Sequence, residues 1–230
     1  MCSAKDLHQR ISAFHSRAIA DPHHRYRSWE HCYQFFRSRT REALVAEKDA
    51  AALQLGFYLA SWGMYRGSSF LLQRAYTVHR GVVERLASSE FSELWEREVG
   101  SEASDTRLVQ PILAAVAAVK DAYAPFGPAT DTLATKVILG TLGCLPACDR
   151  FFIDGFKESG RQYSYLNVRF VERIIQFCID CGTELRREQA TIVAAGEMYY
   201  PLMKLADMYF WQIGYEAAAR KTGGEPDLTD

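Results

Sequence analysis

The chain has 230 residues, 48% of them hydrophobic, with 27 Lys and Arg against 28 Asp and Glu, a formal charge of −1 and a pI near 6.6. That apolar content predicts a substantial core in one domain or two closely packed lobes and argues against a largely disordered chain. Near-neutrality argues against nucleic-acid binding by a general basic excess, and without 18 uninterrupted apolar residues or a signal-peptide core in MCSAKDLHQR the chain reads as cytoplasmic, with no membrane partner.

The charge is uneven along the chain. Met1 to Arg41 carries eight Lys/Arg against three Asp/Glu and five of the six histidines, whereas Glu84 to Asp105 carries seven acids against two arginines. Either one basic face or an ordinary solvated helical surface follows from this. Asp6 to Ile19 has the spacing of a short amphipathic helix, ended by Asp21-Pro22. Tyr26 to Arg41 predicts a second helix, with Trp29, Tyr33 and Phe36 as a core-facing stripe and Arg37, Arg39 and Arg41 as candidate nucleic-acid contacts. An Ala- and Leu-rich helix runs from Glu42 to about Tyr65 and bends at Gly63 and Gly67, and Ser68 would cap the next helix, to about Leu86. The bend gathers Trp62, Tyr65, Arg66, Ser68 and Ser69, which suits either recognition of a planar polar ligand or a tight packing corner.

Ser89 to Glu98 predicts a further helix. Val99 to Asp105 reads as a polar linker, which makes 99–107 the candidate boundary if residues 1–222 form two lobes. Leu108 to Tyr123 repeats apolar residues at helical spacing and a loop, APFGPA, follows. In TLATKVILGTLGCLPACDRFFIDGFK, from Thr132 to Lys157, an apolar helix should stop near Leu142, because Gly140 and Gly143 loosen it and Pro146 forbids continuation. Asp149 then falls at the N-cap of a helix running from Arg150, among free backbone N–H groups that favour a carboxylate. It is either a functional acid or only a cap. Tyr163 to Cys181, Glu184 to Ala195 and Pro201 to Lys221 complete an all-α chain of about nine or ten helices, and residues 223–230 read as a disordered tail.

Six cysteines, Cys2, Cys32, Cys144, Cys148, Cys178 and Cys181, are expected to be reduced. The Cys178–Cys181 and Cys144–Cys148 spacings permit a four-thiolate metal site. Cys178 falls on an apolar helix face and neither pair has zinc-ribbon flanks, so buried thiols are the simpler reading, with no metal and no cofactor.

The helix bearing Lys136, the turn LGTLGCLPACD and the aspartate opening the next helix resemble the active-site half of the helix-hairpin-helix DNA glycosylase superfamily. The resemblance implies a DNA partner, Asp149 as the catalytic carboxylate and Lys136 at the place of the lyase nucleophile. This chain lacks the family's LPGVG hairpin and carries Lys136 before the turn, so a single-function hydrolase follows better than a lyase. A flipped base needs a pocket. Trp62, Tyr65, Arg66, Ser68, Tyr199 and Tyr200 are its candidate lining, and Arg150 joins the candidate nucleic-acid contacts. The wording of LASWGMYRGSSFLL and KVILGTLGCLPACDRFF is also similar to small bacterial proteins of phage-defence settings. That likeness implies a glycosylase acting on hypermodified phage DNA, such as glucosylated hydroxymethylcytosine.

Two alternatives stand beside this reading. RAYTVH, Arg74 to His79, resembles the R-x4-H signature of HEPN ribonucleases, in which the two residues would act on an RNA phosphodiester; the same residues also fit two surface positions on an amphipathic helix. A non-catalytic helical adaptor is the other. P-loop, Rossmann, HExxH and Gly-x-Ser-x-Gly motifs do not occur.

Overall fold

The structure, a computed structural model, describes residues 3–196 and 198–224. Among the described residues it has twelve α-helices and no strand, an all-α fold with more helices than the sequence suggests. They are α1 (Ala4–Ile19), α2 (Arg27–Arg37), α3 (Arg41–Ala46), α4 (Lys48–Ser61), α5 (Arg80–Leu86), α6 (Ser92–Glu96), α7 (Val109–Tyr123), α8 (Asp131–Thr141), α9 (Arg150–Glu158), α10 (Val168–Asp180), α11 (Gly182–Ala194) and α12 (Leu202–Thr222). The predicted tail falls mostly outside the described residues; Gly223, left-handed at φ 68°, closes α12.

The extra helices come from local breaks that periodicity does not register. Thr40 caps α3, accepting from the Ala43 N–H at 3.2 Å, so α2 stops at Arg37 rather than at Arg41. Glu47, at φ −99° and ψ 26°, separates α3 from α4. The predicted helix from Ser68 to Leu86 is two 3₁₀ turns, Phe70–Gln73 and Tyr76–His79, followed by α5, and its cap is Ser69, not Ser68. Asn167 caps α10, which begins five residues beyond the predicted start at Tyr163.

Helix α12 is the spine. Every residue from Leu202 to Tyr215 is buried, so it has no polar face, as a helix enclosed by its neighbours should not. α1, α9, α10 and α11 pack around it. The tightest approach is α9 on α12 at Gly155 and Gly214, where a Cβ on Gly155 would lie 1.8 Å from the Phe210 carbonyl oxygen and one on Gly214 1.9 Å from that of Phe151. A second group, α2, α4, α5, α7 and α8, is locked by similar devices. Gly140 of α8 leaves room for the Tyr58 ring, while α2 reaches α8 through Trp29 Nε1, which donates to the Leu139 carbonyl at 3.0 Å.

The stretch 99–107 is tied down rather than open. Asp105, fully buried, accepts from the backbone N–H groups of Gly100, Ser101 and Glu102 at 3.0–3.2 Å and from Arg97 at 2.9 Å. The 3₁₀ helix Ala103–Leu108 packs against α7 and α10. No described helix is long and apolar enough to cross a membrane.

Candidate active site

The loop from α8 to α9 runs between the two helix groups, and three side chains hold its backbone immediately before Asp149. Asp207 of α12 accepts from the Ala147 N–H at 3.0 Å, Thr135 accepts from the Cys148 N–H at 2.8 Å, and Thr132 donates to the Cys148 carbonyl at 2.9 Å. Asp149 then caps α9, accepting from the Phe152 N–H at 3.0 Å through Oδ1. Its other oxygen, Oδ2, receives Lys136 Nζ at 3.0 Å. The side chains are 16% and 5% exposed, so this ion pair is largely withdrawn from water and each charge depends on the other.

Asp149 and Lys136 lie in a cleft of about 300 Å³ whose walls come from five separate segments. Arg25 precedes α2; Trp62, Met64 and Arg66 form the bend after α4; Thr132 belongs to α8; Arg150 and Phe151 begin α9; Trp211 comes from α12. Tyr26 stacks on Trp62 with ring centres 4.8 Å apart, and the ammonium groups of Lys136 and Lys204 stand 5.0 and 5.6 Å from the same ring. The faces of Trp62 are therefore already engaged by protein groups. Its Nε1–H is buried without an acceptor among the described residues.

Behind the cleft lies a second buried pair, Lys204 and Asp207, at 2.8 Å and 4% and 5% exposed. Burial pushes the Asp207 carboxyl up; Lys204 pulls it down and the charge of Asp149 pushes it up again. Lys204 and Asp207 lie within LMKLADMYFW, where two charges one turn apart in an otherwise apolar helix are the sequence signal that could have found them. Arg25 and Trp211 carry no such signal, since only packing brings them to Asp149.

The structure thus brings together Trp62, Arg66, Lys136, Asp149 and Arg150 and leaves out the other predicted site residues. Tyr65 faces away, its hydroxyl 2.6 Å from Nε2 of His79. Ser68 lies in an adjoining groove of about 570 Å³, which also contains Ser69 and Thr130 and shares Met64 and Arg66 with the cleft. Tyr200 is buried, with its hydroxyl donating to Glu30, and Tyr199 lies next to it on the chain, near Glu98. Arg37, Arg39 and Arg41 sit at or beyond the far end of α2, about 15 Å along its axis from Tyr26. There Arg37 donates to the Trp95 carbonyl and Arg39 pairs with Glu47 at 2.9 Å over the Phe35 ring.

Arg74 and His79 do not converge either. Arg74 is exposed and extended, whereas His79 is fully buried, with Nδ1 2.6 Å from the Tyr123 hydroxyl and Nε2 the same distance from that of Tyr65. Burial lowers its pKa to about 4. An unfolded histidine protonates near 6.5, so the native state gains nothing from His79 above that pH. Between pH 6.5 and about 4 the unfolded chain takes up a proton that the folded one refuses, and stability falls as pH drops. The total is on the order of 3 kcal/mol. Melting curves from pH 7 to pH 4.5 should show this loss, and His79→Gln should flatten it; an unchanged slope would rule His79 out as its source.

Cys32, Cys144, Cys148 and Cys178 are buried with free thiols, and Cys181 is buried as well. Burial pushes the thiols of Cys32, Cys144, Cys148 and Cys178 up, which makes them poor thiolate ligands. Among the described residues no three His, Cys, Asp or Glu side chains converge to hold a metal ion.

No protein-family model matches the sequence, and neither characterised proteins nor solved structures give a significant match.

Proposed function

We propose that the protein is a DNA glycosylase of the hydrolytic kind, acting at the cleft on a nucleotide rotated out of the stack, with Asp149 as the catalytic carboxylate. The observation that carries this reading is the Asp149–Lys136 pair at 3.0 Å in a cleft lined by Arg25, Arg66 and Arg150. As the bond between C1′ and the base nitrogen breaks, its electron pair leaves with the base and positive charge develops on the sugar. A fixed carboxylate stabilises that charge and takes a proton from the water that adds to C1′. Lys136 orients the carboxylate. A role for Lys136 as a lyase nucleophile would require it to give up that pairing, so release of the base without strand cleavage is the expected outcome.

The adjoining groove supports a bulky modified base such as glucosylated hydroxymethylcytosine of phage DNA. It meets the cleft at Met64 and Arg66 and offers the hydroxyls of Ser68, Ser69 and Thr130 to a sugar. The test is incubation of the protein with unmodified DNA and with phage DNA carrying glucosylated cytosines. Abasic sites and released base are then measured by mass spectrometry. Release confined to the modified DNA supports the reading; no release from either DNA removes it.

A further inference from the structure

Arg25, Arg66 and Lys136 line a cleft of about 300 Å³ together with Asp149, which pairs with Lys136, in a chain whose formal charge is −1. Among the described residues neither Arg25 nor Arg66 has an acid within ion-pair distance. Two guanidinium groups beside an ion pair that is already complete repel each other and the ammonium, a cost to folding stability that a bound anion offsets. The Trp62 Nε1–H is buried and without an acceptor among the described residues. The stacking surface that a base would use is scarce, because Tyr26, Lys136 and Lys204 already occupy the Trp62 ring and Trp211 is itself stacked on Tyr215.

We infer that the cleft recognises its ligand chiefly through a sugar-phosphate group, held by Arg25 and Arg66 at Asp149, rather than by stacking the base. Guanidinium groups match phosphate oxygens in pairs and remain charged at any physiological pH. Arg150, the first residue of α9, also lines the cleft. This deepens the proposed function and rests on it only for placing the phosphate on a DNA strand. A free sugar phosphate carries the same chemistry.

Calorimetric titration at low salt with 2-deoxyribose 5-phosphate, deoxycytidine 5′-monophosphate, deoxycytidine and a four-nucleotide single strand tests the inference. The monophosphate and the base-free sugar phosphate should bind within a few-fold of each other, and deoxycytidine at least tenfold more weakly. Arg25→Gln with Arg66→Gln should weaken the phosphate ligands about 100-fold, roughly tenfold for each lost charged contact. Arg41→Gln, which removes a charge outside the cleft, should change nothing. Binding of the strand alone, still lost in the double variant, assigns the site to a phosphodiester; binding of the sugar phosphate as well assigns it to phosphate esters in general. Deoxycytidine binding as tightly as its monophosphate, or a double variant that binds like the parent, overturns the inference. Phosphate binding without base release from any DNA would leave this site standing and remove the glycosylase; base release indifferent to both arginines would do the reverse.

Discussion

Asp149→Asn is expected to lower base release by about 10³-fold, within the range for loss of a positioned acid–base group. The substitution is chosen because asparagine keeps the cap: its side-chain oxygen can still accept from the Phe152 N–H, so α9 should start at the same residue. What disappears is the negative charge opposite Lys136. A buried ammonium that has lost its counter-charge costs about 3 kcal/mol, at the low end for broken buried pairs because asparagine still offers it an acceptor. Activity and stability thus fall together in the single variant, and a second change separates them. Lys136→Gln added to Asp149→Asn removes the orphaned cation and should restore most of the melting temperature while base release stays lost. A double variant that recovers release along with stability would show that Asp149 serves folding only.

Gly155→Ala should be the most damaging single methyl in the molecule. Its Cβ would sit 1.8 Å from the Phe210 carbonyl oxygen and 2.7 Å from the Gly214 nitrogen. Both obstacles are backbone, so no side-chain rotation relieves them and the two helices must part. Overpacking of a close-packed core costs about 1–3 kcal/mol and more where the backbone itself must move, and the upper end is expected here. Gly214→Ala meets the mirror obstacle at Phe151 and should match it. Gly182→Ala, with nothing within 4 Å of its Cβ, is the control and should leave the urea midpoint nearly unchanged. Parting α9 from α12 also shifts Asp149, which caps α9, and a displacement near 1 Å in a catalytic group can cost about 100-fold in rate. Folded Gly155→Ala protein should therefore be impaired in base release beyond its loss of stability; full activity at low temperature would contradict the rigid placement of Asp149 by α12.

The helical class was legible because apolar residues recur at helical spacing through nearly every segment, and that signal needs no tertiary information. The cap at Asp149 was legible for a similar reason: Pro146 stops one helix and aspartate is a preferred start for the next. The breaks at Glu47 and at Arg74–Ala75 were not, since no glycine or proline marks these exposed positions. Tyr199 and Tyr200 show how a residue type misleads. Adjacent tyrosines look like lining for a planar ligand, yet Tyr200 is a core residue set edge-on against Trp29. Arg25 and Trp211 enter the candidate site from opposite ends of the chain, a juxtaposition that exists only after α12 has been enclosed by its neighbours.

The near-zero formal charge conceals a local excess of cations. Arg25, Arg66 and Lys136 stand with Asp149 in the cleft, a local sum of +2 in a chain whose total is −1. A polyanion that comes within range of the cleft mouth is drawn toward it. The gain is in orientation before contact rather than in affinity at large, and a Debye length of about 8 Å at physiological ionic strength confines it to the last stage of approach.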